Sequence, residues 1–282
     1  MTKSRPGAKT RTLLLRVENG LAWPKSDDLV SEEPLEIRLK AGSRRPEAKT
    51  VAVTMRTPGH DFELAAGFLF AEGVISRRDE IRRIAYCTDE GAPQQYNIVN
   101  LELASGSLPD LSPLERHFFT HSACGVCGKS GLENLRLRGH KPLEDGFSVP
   151  AEIISSLPQT LRQHQSLFDH TGGLHAAALF DRSGRLLASR EDVGRHNALD
   201  KLIGWAFLEN RLPLGECLVL VSGRASYELA QKTLAAGIPV LAAISAPSSL
   251  TVEVAREFNL SLIGFLRDSF NIYAAPERIL LG

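Results

Sequence analysis

The sequence predicts an α/β protein in two parts, a smaller N-terminal α/β domain and a larger C-terminal α/β sandwich built on a mixed sheet. In the N-terminal part, short strands of alternating apolar residues flank a single helix. In the C-terminal half, nearly continuous apolar strands are separated by helices, which is typical of parallel strands covered on both faces. With 282 residues, of which 43% are hydrophobic, the chain is long enough to bury sizeable cores in one large or two modest domains.

Charge and cysteine content exclude several classes of protein. The chain has 33 basic and 33 acidic residues, so no global field attracts nucleic acid or an anionic membrane, and any anionic ligand must be held locally. Its four cysteines do not form the pattern of a disulfide scaffold. No apolar run of the signal-peptide type follows the basic N-terminus, and no apolar window approaches about 18 residues. We therefore expect a cytoplasmic protein with neither a nucleic-acid nor a membrane partner.

The N-terminal domain is predicted to span residues 1–105 in the order β-β-α-β-β. Residues 1 to about 30 carry few periodic signals. Alternating apolar residues then predict strands, and a run with one apolar face, followed by Gly73, predicts a helix. A turn at Arg44-Arg45-Pro46 joins the first two strands. The predicted strands are 35–39, 51–55, 81–87 and 99–103, and the predicted helix is 61–72.

Residues 106–147 are rich in glycine, proline and charged residues and carry no sustained amphipathic period. A segment longer than about 15 residues without periodicity is usually a binding or catalytic loop or a linker. This segment also contains Cys124 and Cys127. We therefore predict a mobile functional loop.

The C-terminal domain is predicted to span residues 148–282. It begins with a helix over 151–167 that is interrupted or kinked at Pro158, because proline removes a helical hydrogen bond. A hairpin follows, and helices then alternate with buried strands. The hairpin strands are 174–180 and 186–189 around the turn Asp181-Arg182-Ser183-Gly184, the helices are 195–208, 226–236 and 249–258, and the buried strands are 217–222, 240–244 and 261–266.

Cys124 and Cys127 form a Cys-x-x-Cys among the glycines of residues 120–129. This spacing lets the sulfurs share a metal, form a disulfide or pass a sulfur atom between them, and it does not choose among these chemistries. Nearby cationic side chains would favour the reactive thiolate. A zinc site would need further ligands, whereas the other cysteines, Cys87 and Cys217, stand singly and far away. No metal ligand is therefore predicted.

Three polar turns follow predicted strands and lead into predicted helices. Ligands of open α/β sheets bind beyond the carboxyl ends of strands, and free backbone N–H groups at helix N-termini favour anions. Two of the turns add an arginine, Arg195 or Arg224, so a nucleotide phosphate would suit them. The alternative, that the serines of these turns only cap helices, is equally consistent with any single turn. The turns are 191–197, 222–226 and 245–249. No phosphate-binding P-loop or dinucleotide fingerprint is present, which disfavours an ordinary ATPase or a Rossmann dehydrogenase.

His175 stands at the start of a predicted strand, after Gly172 and Gly173. A lone strand histidine is more often a satisfied core or edge residue than a ligand. Zinc deaminases place a His-x-Glu before a later Pro-Cys-x-x-Cys. Here Ala177 occupies the position of the glutamate, and the Cys-x-x-Cys precedes the histidine. The sequence therefore disfavours deaminase chemistry, even for a related fold.

Five segments, in order along the chain, carry a family resemblance. They are Cys-Gly-Val-Cys-Gly-Lys at 124–129, Thr-Gly-Gly-Leu-His-Ala-Ala-Ala at 171–178, Glu-Asp-Val-Gly-Arg-His-Asn-Ala-Leu-Asp-Lys-Leu-Ile-Gly at 191–204, Ser-Gly-Arg-Ala-Ser-Tyr-Glu-Leu at 222–229 and Ser-Ala-Pro-Ser-Ser-Leu at 245–250. From about residue 30 to its end, the chain resembles the formate dehydrogenase accessory sulfurtransferase family. Ala123 departs from that family, which often has a hydroxyl residue there, and this affects the polarity of the loop rather than its chemistry.

The resemblance implies a fold and a function. The fold would be a cytidine-deaminase-like three-layer core with a mixed sheet and without the deaminase zinc, next to the smaller N-terminal α/β domain. The protein would take sulfane sulfur from a cysteine desulfurase as a cysteine persulfide. It would transfer that sulfur to the molybdenum of the bis-molybdopterin guanine dinucleotide cofactor destined for formate dehydrogenase. By position, the predicted catalytic residues are Cys124, which corresponds to the persulfide cysteine, and Cys127, its neighbour.

The resemblance also places the guanine dinucleotide near residues 265–270, with Arg267 as its anion partner, and GDP is expected to mimic the cofactor. Together with the polar turns, the predicted cofactor-binding residues are Phe265, Leu266, Arg267, Asp268, Ser269, Phe270, Ser222, Gly223, Arg224 and His196. The expected partners are a cysteine desulfurase, formate dehydrogenase and a second copy of the chain in a homodimer.

Two rival functions remain open. A thiol-disulfide oxidoreductase should place its first cysteine at a helix N-terminus directly after a strand, whereas here a segment rich in glycine and proline precedes it. A chaperone that only holds the cofactor would not need Cys124. Loss of Cys124 would therefore abolish a transferase and spare a chaperone.

Overall fold

The computed structural model describes residues 6–42, 48–88, 94–111, 135–136 and 139–282. Within these ranges the chain is an α/β protein with six α-helices and fourteen strands in four sheets. The predicted turn at Arg44-Arg45-Pro46 and the predicted catalytic residues Cys124 and Cys127 lie outside the described residues, as does most of the predicted loop 106–147. No helix in the described ranges is long and apolar enough to cross a membrane.

The first two strands form a separate hairpin that the apolar periodicity does not predict. β1 (Lys9–Glu18) pairs antiparallel with β2 (Leu21–Val30) along its whole length. The turn is Asn19-Gly20, with φ values of 51° and 78°, which suits the tight turns of two-residue hairpins. Most of the large apolar side chains of this hairpin are exposed. Its strands therefore lack the half-buried alternation that marks a strand in a sequence.

Four strands and one helix form the N-terminal core. The strands are β3 (Glu33–Lys40), β4 (Lys49–Arg56), β5 (Ile81–Tyr86) and β6 (Ile98–Leu103). They form a sheet in the order β4-β3-β6-β5, in which the central pair is parallel and the outer pairs are antiparallel. The helix α1 (Asp61–Ala71) buries Leu64 and Leu69 in one cluster with strand residues such as Leu35. These elements confirm the strands and the helix that apolar alternation predicts here.

A mixed sheet forms the centre of the C-terminal half. The strands are β7 (Val149–Pro150), β8 (His175–Asp181), β9 (Leu186–Asp192), β10 (Cys217–Val221), β11 (Val240–Ala243), β12 (Ser261–Gly264), β13 (Asn271–Ala274) and β14 (Ile279–Leu280). Six of them form the sheet in the order β13-β12-β11-β10-β8-β9, where β10, β11 and β12 are parallel. β8, β9 and β13 pair antiparallel with their neighbours, and β7 pairs with β14 separately.

Helices cover both faces of this sheet. They are α2 (Ala151–Gln163), α3 (Ser166–Thr171), α4 (Arg195–Leu208), α5 (Tyr227–Ala235) and α6 (Ser249–Glu257), and short 3-10 turns lie at Arg78–Glu80 and Pro276–Arg278. On one face, Leu157 of α2 shares a buried cluster with Phe180. On the other face, Leu202 of α4 and Leu229 of α5 share a cluster with Val219. Successive strand residues point to opposite faces, so the predicted three-layer core with a mixed sheet is confirmed.

Two details differ from the sequence prediction. α2 runs without interruption through Pro158 and ends at Gln163, and α3 begins after a short break. Leu157 and Leu161, on either side of the proline, are buried and keep this stretch of helix packed on the sheet. The sheet also gains β13, an edge strand that is too short to show a periodic signal in the sequence.

Candidate functional site

A cleft of about 760 Å³ opens at the carboxyl ends of β10, β11 and β12. Ser222, Ile244 and Leu266 follow these strands and line the sheet side of the cleft, and His175 at the start of β8 lies beside them. The opposite wall comes from α2, α3 and the glycines after α3. Ligands of open α/β sheets bind at this edge, and the cleft falls in the size range of small-molecule sites.

The predicted cofactor segment lies at this edge, but only part of it lines the cleft. Arg267 and Asp268 contribute exposed side chains to the lining, and Leu266 contributes although its side chain is almost wholly buried. Phe265 lies at the start of the segment with φ of 55° and a ring that is 48% exposed. This backbone conformation is uncommon for a bulky residue. It is stabilised by a hydrogen bond of 3.2 Å from the N–H of Phe265 to the carbonyl oxygen of Ser245.

The rest of the segment closes a turn. The N–H of Arg267 donates to the carbonyl oxygen of Ser269 at 3.0 Å, and Phe270 packs against the buried cluster beneath α2. Within the part of the chain that the structure describes, no carboxylate or other acceptor engages the guanidinium of Arg267. That guanidinium is therefore free to bind an anion in the cleft.

In the turn after β10, Ser222 ties two strands together and Gly223 makes room for His175. The N–H of Ser222 donates to the carbonyl oxygen of Ala176, and the N–H of Ala176 donates to Oγ of Ser222, both at 2.9 Å. These bonds tie β10 to β8, and the hydroxyl can still donate its own proton. A Cβ on Gly223 would stand 3.3 Å from Nδ1 of His175, so glycine lets the imidazole lie against the turn. Arg224 is exposed outside the cleft lining.

His196 does not line this cleft. Its Nε2 lies 3.2 Å from Oγ of Ser226 and 3.6 Å from a carboxylate oxygen of Glu228. It faces a smaller cavity of about 300 Å³ between β4, α1, α4 and α5. The interaction with His196 is the main cause that lowers the pKa of Glu228 to about 2. His196 therefore lies apart from Ser222, Leu266, Arg267 and Asp268, the predicted cofactor-binding residues that line the cleft.

The polar segment 191–197 mainly joins the two halves of the protein. Asp192 is fully buried, and its carboxylate accepts hydrogen bonds from the N–H groups of Thr57 and Gly194 at 3.1 and 2.8 Å. Nζ of Lys201 lies 2.6 Å from the same carboxylate and donates to the carbonyl oxygen of Thr57 at 2.9 Å. Asp192 and Lys201 therefore point into the junction after β4 and hold it together.

Glu191 shapes the cleft through α3. Its carboxylate accepts hydrogen bonds from the N–H groups of Leu167 and Phe168, at 3.1 and 2.9 Å, in the first turn of that helix. Burial raises the pKa of Glu191. α3 ends at Thr171 and is capped by Gly172, whose φ is 66°, and Gly173 then packs against β2. This arrangement fixes the cleft wall and the path of the chain into β8.

Sequence reasoning did not assign Arg162 and His175 to the site, and it included Glu191 only as part of a polar turn expected to suit a phosphate. Arg162 and His175 line the cleft, and Glu191 holds its wall. The available signal was the pair Gly172-Gly173, shortly before His175, because these glycines let the chain leave α3 and turn into the sheet. Burial, followed by the positive charge of Arg195 and of His196, lowers the pKa of His175.

The described residues contain no group of three or more histidine, cysteine, aspartate or glutamate side chains that could hold a metal ion. Ala177, at the position of the deaminase glutamate, is buried in the core next to Leu179. Cys124 and Cys127 lie outside the described residues.

Comparison with known proteins gives a consistent assignment. A model of the FdhD/NarQ family matches residues 30–280. A relative named sulfur carrier protein FdhD from Streptomyces avermitilis is 51% identical over 278 residues, covering 96% of this chain and 95% of the relative. A protein of the same name from Thermoplasma volcanium is 40% identical, covering 98% and 97%. The crystal structure of a candidate formate dehydrogenase accessory protein from Desulfotalea psychrophila matches with a TM-score of 0.75 at 26% identity, covering 97% of this chain and 100% of that one. The chain therefore belongs to the FdhD/NarQ family.

Proposed function

We propose that this chain is a cytoplasmic sulfur carrier in formate dehydrogenase maturation. It receives sulfane sulfur as a persulfide on Cys124 and transfers it to the bis-molybdopterin guanine dinucleotide form of the molybdenum cofactor. Family membership and the name of the relatives support sulfur carriage, and the structural neighbour supports the link to formate dehydrogenase. The observation that carries the cofactor assignment is the cleft at the carboxyl ends of the parallel strands, with the guanidinium of Arg267, which no described residue engages.

The loading step needs one nucleophilic sulfur. The thiolate of Cys124 attacks the terminal sulfur of a persulfide on a cysteine desulfurase. A new S–S bond forms on Cys124, the S–S bond of the desulfurase breaks, and the desulfurase cysteine leaves as a thiolate. No net oxidation or reduction occurs.

The transfer step uses the cofactor as its substrate. The S–S bond of the Cys124 persulfide breaks, the outer sulfur becomes a sulfido ligand of the metal, and Cys124 leaves as a thiolate. The two electrons that reduce the sulfane sulfur come from the reduced metal of the cofactor. The protein is therefore returned unchanged and ready for another loading step.

The cleft supplies groups that suit a nucleotide diphosphate. A guanidinium binds phosphate oxygens in a bidentate fork, and such charge-assisted hydrogen bonds are the strong ones. Arg267 offers this fork on one side, and the hydroxyl of Ser222 lies at the end of β10 on the sheet side. Because the chain has no net charge, these local groups rather than a global field would hold the anion.

Intact-mass spectrometry after incubation with cysteine and a cysteine desulfurase tests the carrier role. We expect the wild-type protein to gain the mass of one sulfur atom, to lose it on reduction, and to show an altered mass after alkylation. Cys124→Ser should gain nothing, whereas the matched control Cys87→Ser should load normally. A wild-type protein that gains no sulfur, or a Cys124→Ser variant that loads as well as wild type, would overturn the proposal.

The same proposal includes the partners. A cysteine desulfurase must meet the chain to load it, and formate dehydrogenase receives the sulfurated cofactor. The expected homodimer can be measured by light scattering in the presence and absence of GDP.

A further inference from the structure

His175 occupies an unusual position on the floor of the cleft. Its imidazole is half-buried and lines the cleft beside Ser222. Among the residues that the structure describes, no donor or acceptor forms a hydrogen bond with either ring nitrogen. Its two ring nitrogens are therefore available to bond to a ligand that enters the cleft.

The ring packs against Gly223, and the glycines before it set the path of the chain. Gly223 leaves room for it, since a Cβ at that position would stand 3.3 Å from Nδ1 and 3.4 Å from Cε1 of His175. Before it, the glycine that caps α3 and Gly173, which packs against Val30, direct the chain into β8. Binding a ligand would therefore require little reorganisation of the ring.

The charges around His175 favour its neutral form while the cleft holds no anion. Burial is the main cause of its lowered pKa, and Arg195 and His196 of α4 act in the same direction. Asp192 opposes them, but its carboxylate already pairs with Lys201 at 2.6 Å. The other charged groups that line the cleft are Arg162 of α2 and Arg267 and Asp268 after β12.

A second donor in this region also lacks a partner. Nε of Arg195 is buried, and no acceptor within the described ranges bonds to it. Cδ of Arg195 lies 3.9 Å from the position of a Cβ on Gly223, the same glycine against which the ring of His175 packs. Arg195 does not line the cleft, but its positive charge acts on His175 and would add to the attraction of an anion beside that ring.

We propose that His175 couples nucleotide binding to proton uptake: as a diphosphate enters the cleft, the imidazole takes one proton from solvent and donates a hydrogen bond to a phosphate oxygen. The ligand itself neither gains nor loses a bond in this step. The inference rests on the proposed function, because it assigns the cleft to a diphosphate. It adds to that function a pH dependence of cofactor binding and release.

The linkage between proton uptake and nucleotide binding determines how the affinity changes with pH. An opposite charge close to a histidine favours the protonated form, so the pKa of His175 is higher in the complex than in the free protein. Affinity therefore rises as pH falls through the interval between those two pKa values, and it is constant above and below that interval. At higher pH the cofactor would be released more readily.

Calorimetric titration with GDP-mannose tests this coupling. Its diphosphate is a diester, as in the dinucleotide cofactor, and has no group that titrates near neutral pH, so any proton must go to the protein. We expect binding to be roughly five- to tenfold tighter at about pH 6 than at about pH 8. Titrations near pH 6.5 in two buffers with different ionisation enthalpies should show uptake of a fraction of a proton per ligand.

Two variants test whether His175 is the residue that takes up the proton. His175→Gln keeps a polar side chain but cannot be protonated, and we expect its proton uptake and its pH dependence to be lost. His164→Gln is the matched control: its ring lies at the end of α2, outside the cleft lining, with Nδ1 2.9 Å from the carbonyl oxygen of Thr160. This control should retain the uptake of the wild-type protein. Circular dichroism of both variants checks that they fold.

The outcomes separate the inference from the proposed function. Suppose that GDP-mannose binds the wild-type protein with the same affinity at every pH and without proton uptake. This result would overturn the coupling, but the assignment of the cleft to a nucleotide would still hold. Proton uptake that persists in His175→Gln would overturn the assignment to His175. No binding to the wild-type protein at any pH would overturn both the coupling and the assignment of the cleft. If His175→Gln does not fold, the two-buffer measurement on the wild-type protein still decides whether a proton is taken up.

Discussion

The backbone of Gly67 in α1 lies directly against the carbonyl oxygen of Asp200 in α4, because a Cβ on Gly67 would stand only 1.9 Å from that oxygen. The contact is reciprocal: a Cβ on Gly204 would stand 1.8 Å from the carbonyl oxygen of Glu63. The two halves of the protein therefore meet at a helix crossing that admits no side chain. The same α4 begins with Arg195, beside the floor of the cleft.

We expect Gly204→Ala to lower the free energy of unfolding by about 3 kcal/mol or more. Overpacking typically costs about 1–3 kcal/mol, and here the clash is with backbone that cannot turn away. Urea unfolding followed by fluorescence measures the loss. Gly215→Ala is the control, since a Cβ there meets nothing within 4 Å. Equal stability of the two variants would show that the crossing is not tightly packed.

We expect Lys201→Met to lower the free energy of unfolding by about 3–5 kcal/mol, because it leaves Asp192 buried without its ionic partner. Both side chains of this pair are almost wholly inaccessible to solvent. Lys9→Met removes a pair of similar length, Lys9–Asp28 at 2.7 Å, which is exposed. This control should change stability very little. Similar losses in both variants would contradict a structural role for the buried pair.

We expect Arg267→Ala to weaken GDP binding roughly ten- to a hundredfold. Charge-assisted hydrogen bonds contribute about 1.5–3 kcal/mol, and each 1.4 kcal/mol is about a factor of ten in affinity. Calorimetry measures the affinity, with Arg185→Ala as a control, because Arg185 pairs with Asp181 on a turn outside the cleft lining. Sulfur loading on Cys124 should be unchanged in both variants. Equal GDP affinity in wild type and Arg267→Ala would remove Arg267 from the site.

We expect Glu191→Ala to expose the amides of Leu167 and Phe168 to hydrogen exchange, because both lose their acceptor. Each buried donor left without a partner costs about 1–3 kcal/mol, so α3 should loosen and GDP binding should weaken. Glu191→Gln keeps an acceptor oxygen and should have a smaller effect. Unchanged exchange in α3 of the alanine variant would show that Glu191 does not hold the cleft wall.

Local sequence patterns were sufficient for the core strands but not for the hairpin. Val219 and Leu220 belong to an uninterrupted apolar run because helices cover both faces of their strand, and that run predicts the parallel arrangement. In the hairpin, Leu13 and Leu15 are 82% and 67% exposed. Because neither face of the hairpin is buried, its sequence does not need to alternate between apolar and polar residues. The usable signal was the Asn19-Gly20 turn, which favours a tight hairpin.

From the sequence, a residue could be assigned to the site only if it follows one of the parallel strands. Ser222 and Arg267 follow parallel strands, so the sheet brings them to one edge whatever their neighbours are. His196 lies in an equally polar turn, but its ring bonds to Ser226 and faces the smaller cavity. The ring of His175 lies in the cleft because it packs against Gly223, which is remote in sequence. The composition of a turn does not predict such tertiary contacts.

The most direct test of sulfur carriage is the formate dehydrogenase activity of cells whose only copy of this chain carries Cys124→Ala. We expect wild-type protein and the control Cys87→Ala to give active enzyme, and Cys124→Ala to give inactive enzyme. The inactive variant should still accumulate to the wild-type level and bind GDP, because the cleft is built from other residues. Full formate dehydrogenase activity with Cys124→Ala would contradict sulfur transfer through this cysteine and would favour a chaperone that only holds the cofactor.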